Sequence, residues 1–121
     1  MNRPAGRGQG NGGHLMEKID LSDIQIRELF PGYRGRFVHS QNMTFVYWEI
    51  KAGSIVPEHS HPHEQVVNVI EGDFELTVDR ESELLKPQTV VIIPPNAKHS
   101  GKAFTDCKII DVFYPVREDY R

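Results

Sequence analysis

Four histidines set the chemistry to look for. Three fall within seven residues, His59-Ser60-His61-Pro62-His63-Glu64-Gln65, and the fourth, His99, follows Pro94-Pro95-Asn96-Ala97-Lys98. Neutral imidazole is the commonest side-chain ligand of metal ions. Side chains alternate faces along an extended chain, so His59 and His61 point the same way. The same parity runs through Gln65 to Val67 and Val69, whose apolar character reads as the inside of a barrel. Imidazoles at the head of such a stripe are costly to bury alone, and a metal ion supplies the missing partner. The other reading is a set of surface histidines with no shared ligand.

The elements that must position these residues read as short strands. Apolar and β-branched runs recur at Arg36–His39, Met43–Ile50, Gln65–Ile70, Phe74–Val78, Glu83–Leu85, Thr89–Ile93 and Lys108–Tyr114. Turn residues separate them at Pro31-Gly32, Ala52-Gly53, Gly72-Asp73, Asp79-Arg80, Pro94-Pro95-Asn96 and Ser100-Gly101. The stretch from Val66 to Val78 predicts a hairpin turning at Gly72-Asp73. No segment sustains a 3.6-residue apolar period, and at most one helical turn is expected near Leu21. Seven or eight closely spaced strands imply an all-β, antiparallel sandwich or barrel.

Composition narrows the class. At 121 residues, with 38% hydrophobic and 26% charged, the chain suits one globular domain and excludes collagen, coiled-coil and membrane-spanning classes. The formal charge of −3 is uneven: residues 1–13 hold Arg3, Arg7 and no acid, which leaves 12 basic against 17 acidic residues, a net of −5, for the rest. An acidic body argues against a nucleic-acid surface. Five of the ten glycines lie in residues 6–13, so residues 1–15 are expected to be a disordered Gly-rich leader or a cloning remnant. Two arginines without aromatic residues make a poor RNA-binding tail. Met16 then reads as a natural start, and residues 16–121 as one barrel domain. A lone Cys107 and the lack of an apolar signal core predict a cytoplasmic protein with neither a disulfide nor a membrane association.

Two motifs resemble those of the cupin superfamily, a double-stranded β-helix or jelly-roll barrel. The first cupin motif runs Gly, five residues, His-x-His, three or four residues, Glu, six residues, Gly. Gly53, His59, His61 and Gly72 match it, with Gln65 in place of the usual Glu. The second has Pro-x-Gly, two residues, then His. Here Pro94, Asn96 and His99 follow that spacing, with Asn replacing Gly at a position suited to left-handed backbone. The leading Gly of that motif becomes Gln88 and its trailing Asn becomes Ala103. The resemblance implies one divalent ion (Zn, Ni, Mn, Fe or Co) on His59, His61, Gln65 and His99. His63 and Glu64 are the alternative ligands. Because an amide replaces a carboxylate, the ion would keep its full charge and favour anionic ligands.

A narrower resemblance, to small cupins of pectin degradation, rests on the heptad His59–Gln65 and on Asp111-Val112-Phe113-Tyr114-Pro115-Val116-Arg117-Glu118-Asp119-Tyr120. Those proteins convert 4,5-unsaturated uronates from pectin and alginate breakdown into linear keto sugars. The resemblance implies catalytic roles for Asp111, Phe113 and Arg117 beside the metal, a small anionic sugar acid as substrate, and a homodimer. Taken alone, Asp111 shares strand parity with Ile109 and Phe113, so it faces inward and needs a partner, either for catalysis or as a hydrogen bond to the barrel wall. Apolar surroundings raise its pKa while a nearby cation lowers it. Arg117 suits bidentate capture of a carboxylate, or pairing with Glu118 or Asp119 in solvent. Phe113 suits the core or a sugar ring, and Tyr47, Trp48 and Tyr114 are further candidates for the pocket wall. A cupin dioxygenase and a non-catalytic cupin that binds a small molecule are the competing functions.

Overall fold

The computed structural model describes residues 15–121, so the expected leader, apart from Leu15, lies outside it. Ten strands follow in order: β1 (Arg27–Phe30), β2 (Tyr33–His39), β3 (Thr44–Ile50), β4 (Ile55–His59), β5 (Glu64–Glu71), β6 (Phe74–Val78), β7 (Glu81–Leu85), β8 (Thr89–Ile93), β9 (His99–Ala103) and β10 (Cys107–Tyr114). The helical turn expected near Leu21 is a 3-10 turn at Leu21–Asp23, and a second covers Glu118–Tyr120. The strands form a six-stranded sheet, β1-β2-β3-β10-β5-β8, and a four-stranded sheet, β4-β9-β6-β7. Every pairing is antiparallel.

Alternation builds the core. On β3 the inward residues are Thr44, Val46, Trp48 and Ile50; on β5 they are Gln65, Val67 and Val69; on β10 they are Cys107, Ile109, Asp111 and Phe113. Register aligns these sets, since Phe113 lies opposite both Thr44 and Gln65, and Asp111 opposite both Val46 and Val67. Thr44 and Gln65 therefore flank Phe113 at one level of the core, and Asp111 stands at the next inward position along β10.

Several elements differ from the sequence expectation, among them β1, for which no strand was expected. Val66–Val78 is not a hairpin: β5 pairs with β10 and β8, whereas β6 pairs with β7 and β9. Gly72 carries the chain from one sheet to the other at φ +91°, so close to the β9–β10 connection that a Cβ would meet the Asp106 carbonyl oxygen at 2.2 Å. Ser100-Gly101 is not a turn but part of β9, where Gly101 makes room for the Phe74 ring. Strand β4 went unread because Pro57 and a bulge interrupt its alternation: Val56 pairs with Gly101 and His59 with His99, one residue more on β4 than on β9. That extra residue turns both Val56 and His59 to the cavity, as bulges do when they re-aim a side chain.

Candidate metal centre

His59 ends β4, His99 begins β9, and His61 sits in the loop entering β5. Their candidate ligand nitrogens lie within 4.8 Å of one another, with His61 and His99 buried and His59 half-buried. The loop leading to His99 turns on Asn96 at φ +69°, the left-handed conformation expected there, and Gln88 takes the same region at φ +73° where the motif has glycine.

The backbone aims each ring. Nδ1 of His59 lies 2.9 Å from the Pro57 carbonyl oxygen, Nδ1 of His61 3.1 Å from that of His63, and Nδ1 of His99 2.9 Å from that of Ala97. A carbonyl only accepts, so each Nδ1 carries the proton and each Nε2 keeps a lone pair. This is how outer partners present imidazoles to a metal. Nε2 of His99 is buried with no partner. Nε2 of His61 faces Oε1 of Gln65 at 3.1 Å, two acceptors with no proton between them. A cation beside them would make that contact favourable, so the donor set fits a metal ion. Burial pushes the pKa of His61 down to about 4, with Arg117 acting in the same sense, and burial also lowers that of His99. Neutral rings take a cation without first losing protons.

The cavity beside the histidines measures about 350 Å³ and reaches from Leu29 and Phe30 to His99 and Arg117. Asp111 stands in its wall. The Trp48 Nε1–H donates to Oδ2 at 2.9 Å, while the buried Oδ1 accepts no hydrogen bond. Of the two opposed pulls on this carboxyl, burial prevails in the protein alone and raises its pKa to about 6, against the Gln65 amide, the Trp48 N–H and the Arg117 charge. Gln65 stands beside Asp111 without a hydrogen bond to Oδ1, which leaves Trp48 as its direct donor. Phe113 is fully buried and packs edge-on against His61 at 5.5 Å between ring centroids.

Arg117 is buried rather than solvated, and it pairs with Asp119, with Nη2 to Oδ2 at 2.7 Å. Trp48 lines the cavity as expected, but Tyr47 and Tyr114 face away on the outside of the six-stranded sheet. His63 and Glu64 stand outside the histidine triad, and Glu64 is exposed. Sequence reasoning missed Thr44 and Tyr120. Thr44 gave no signal as a residue of an ordinary strand, whereas Tyr120 lay within the C-terminal decad already singled out.

The Cupin domain family matches residues 46–113, more than half of the chain. The chain belongs to the cupin family. No curated protein matches it. Among solved structures, this cupin is similar to KdgF from Halomonas sp., with TM-score 0.82 and 24% identity over 88% of this chain and 100% of that one. An RmlC-like cupin from Shewanella frigidimarina follows at TM-score 0.78 and 27% identity, over 83% of this chain and 91% of that one. Oxalate decarboxylase from Bacillus subtilis matches at TM-score 0.72 and 22% identity, over 80% of this cupin but 29% of the larger chain. Enzymes therefore occur among the chains that share this fold.

Proposed function

We propose that this cupin converts 4,5-unsaturated uronates into linear keto sugars in the cytoplasm. One divalent transition-metal ion would be held by His59, His61 and His99, with Gln65 as fourth ligand. The supporting observation is the company the imidazoles keep. Asp111 and Arg117, of opposite charge, line the same cavity, and each has one buried polar atom without a partner. A dioxygenase or a simple sensor needs the histidines but leaves this pair unexplained. The resemblance carried by the heptad and the C-terminal decad points to the same substrate.

When bound, the ion supplies Lewis acidity toward the substrate's carboxylate and ring oxygen. Arg117 binds the same carboxylate and stabilises the charge that grows beside it. Asp111 takes the proton of the anomeric hydroxyl as the bond between the anomeric carbon and the ring oxygen breaks. The electron pair moves to the enolate, and Asp111 returns the proton to the neighbouring carbon, leaving a ketone. No atom is gained or lost. Burial holds the Asp111 pKa above the ordinary carboxylate range in the protein alone, which suits a group that both takes and gives a proton. Phe113 walls the ring between His61 and Arg117.

The test is loss of the ultraviolet absorbance of the conjugated double bond when protein meets an unsaturated uronate. Asp111→Asn should lower that rate by about 10²–10⁴-fold with metal content unchanged. Wild-type protein no faster than the spontaneous reaction would overturn the reading, and oxygen uptake without loss of unsaturation would favour a dioxygenase.

We also propose that the molecule works as a homodimer joined through the outer face of the six-stranded sheet. Register sets Val38, Phe45, Val112, Val66 and Ile92 side by side across β2, β3, β10, β5 and β8. Ile92 is 63% exposed, and Val90, Ile70 and Tyr114 on the same face are exposed as well. Among the charges on this face, Arg36 is met by Glu49 at 3.8 Å and Glu64 stands opposite Tyr114. An exposed apolar row of this kind can meet its own copy across a two-fold axis, and sheets stack well face to face.

A further inference from the structure

We infer that Asp119 is a positioning residue: it turns Arg117 so that one edge of the guanidinium is offered to the ligand's carboxylate. That the ligand is a uronate rests on the function proposed above.

A guanidinium holds five N–H donors in one plane. Asp119 occupies one edge, accepting from Nε at 3.2 Å on Oδ1 and from Nη2 at 2.7 Å on Oδ2. The other edge keeps both N–H groups of Nη1 and the second of Nη2. Nη1 is buried and meets no acceptor among the described residues. A buried charged donor is expensive to leave unpaired, so this edge is shaped for an acceptor that the chain does not itself provide. Two parallel donors on one edge match the two oxygens of a carboxylate. Arg117 lines the cavity together with His59, His99, Gln65 and Asp111.

Three restraints hold the group. The backbone N–H of Arg117 donates to Thr44 Oγ1 at 2.9 Å, and Thr44 is fully buried. The guanidinium carbon lies 3.8 Å from the centroid of the Tyr120 ring and 4.9 Å from that of Phe113. The Tyr120 ring is itself wedged edge-on against Phe37 at 5.1 Å and Phe113 at 5.6 Å. Backbone and rings fix the height and tilt of the plane. Rotation within the plane is left to Asp119. Its side chain is 58% exposed, so replacing it leaves the barrel core untouched.

The experiment uses the metal-loaded full chain and a saturated monouronate, galacturonate, which has no double bond to turn over. Calorimetry should find affinity weakened about tenfold in Asp119→Ala, the step that corresponds to about 1.4 kcal/mol. Asp119→Asn should fall between, because its amide oxygen still accepts one N–H. Arg117→Ala should lose at least as much, and the double variant no more than Arg117→Ala alone. The methyl ester of galacturonate should bind wild type and Asp119→Ala equally. With the unsaturated substrate, Asp119→Ala should raise KM more than it lowers kcat. Unchanged galacturonate affinity in Asp119→Ala, or a loss that adds to that of Arg117→Ala, overturns the positioning role even if wild type is active. A wild type that binds galacturonate through the pair but does not ketonise overturns the proposed function and keeps the role. No binding of galacturonate by wild type overturns the positioning role, and loss of unsaturation then decides the function.

Discussion

At the scale of the residue, the Thr44 hydroxyl joins two ends of the molecule. It accepts the Arg117 N–H and lies 2.8 Å from Nδ1 of His39, whose Nε2 faces the Tyr120 carbonyl at 3.3 Å. Since the carbonyl only accepts, Nε2 carries the proton and Nδ1 accepts from Thr44. A second proton on His39 would oppose that hydroxyl bond. Burial, seconded by Arg121 and Arg27, lowers the pKa of His39, while the Tyr120 carbonyl and Glu118 work against it. The folded value therefore lies below the unfolded one of about 6.5. The unfolded chain binds the extra proton first, so this contribution is complete above about pH 6.5 and is lost as pH falls through that value toward the folded pKa. Urea denaturation from pH 7.5 to 5 should show the stability gap between wild type and His39→Gln narrowing on acidification. A constant gap would remove His39 from the linkage. Nothing in the sequence marked this histidine, because Thr44 is ordinary in type and the Tyr120 carbonyl is distant in the chain.

At the scale of the element, the strands that carry His59 and His99 were among those the pattern concealed. Their alternation fails for physical reasons: Pro57 and the bulge on β4, and Gly101 facing Phe74 on β9. The candidate ligands His59, His61 and His99 were nonetheless legible, because motif spacing survives a bulge that periodicity does not. The central strands β3, β5 and β10 were readable from alternation alone, whereas the partner each strand chooses was not. Gly72 shows why. Glycine followed by aspartate between two apolar runs suits a hairpin, and only the approach of Asp106 reveals a crossing between sheets. Gly72→Ala combines left-handed strain with a backbone overlap and should cost about 3 kcal/mol or more. Gly53→Ala, at φ +87° with nothing within 4 Å of a new Cβ, carries strain alone and should cost about 1–2 kcal/mol. Chemical denaturation of the two variants checks the difference, and equal losses would mean the crossing yields to a methyl group.

At the scale of the whole molecule, the sandwich puts the candidate site and the exposed apolar residues on different faces. The inner face holds the imidazoles and the cavity, while one row of the outer face, from Val38 to Ile92, is apolar across five strands. Sedimentation velocity at micromolar concentration should find a dimer for wild type and a monomer of unchanged circular dichroism for Val90→Lys/Ile92→Lys. A monomeric wild type, or a dimer that survives both lysines, would remove this interface. The strand order carries a further consequence. β10, the last strand in the chain, lies between β3 and β5 at the middle of the six-stranded sheet. Until it is inserted, the first nine strands cannot join that sheet's two halves, and each half keeps an open edge. Such long-range closure delays folding and leaves sticky strand edges exposed in the meantime. During synthesis the barrel must therefore wait for nearly the whole chain to emerge, and a ribosome stalled before Cys107 would release an aggregation hazard rather than a smaller working domain.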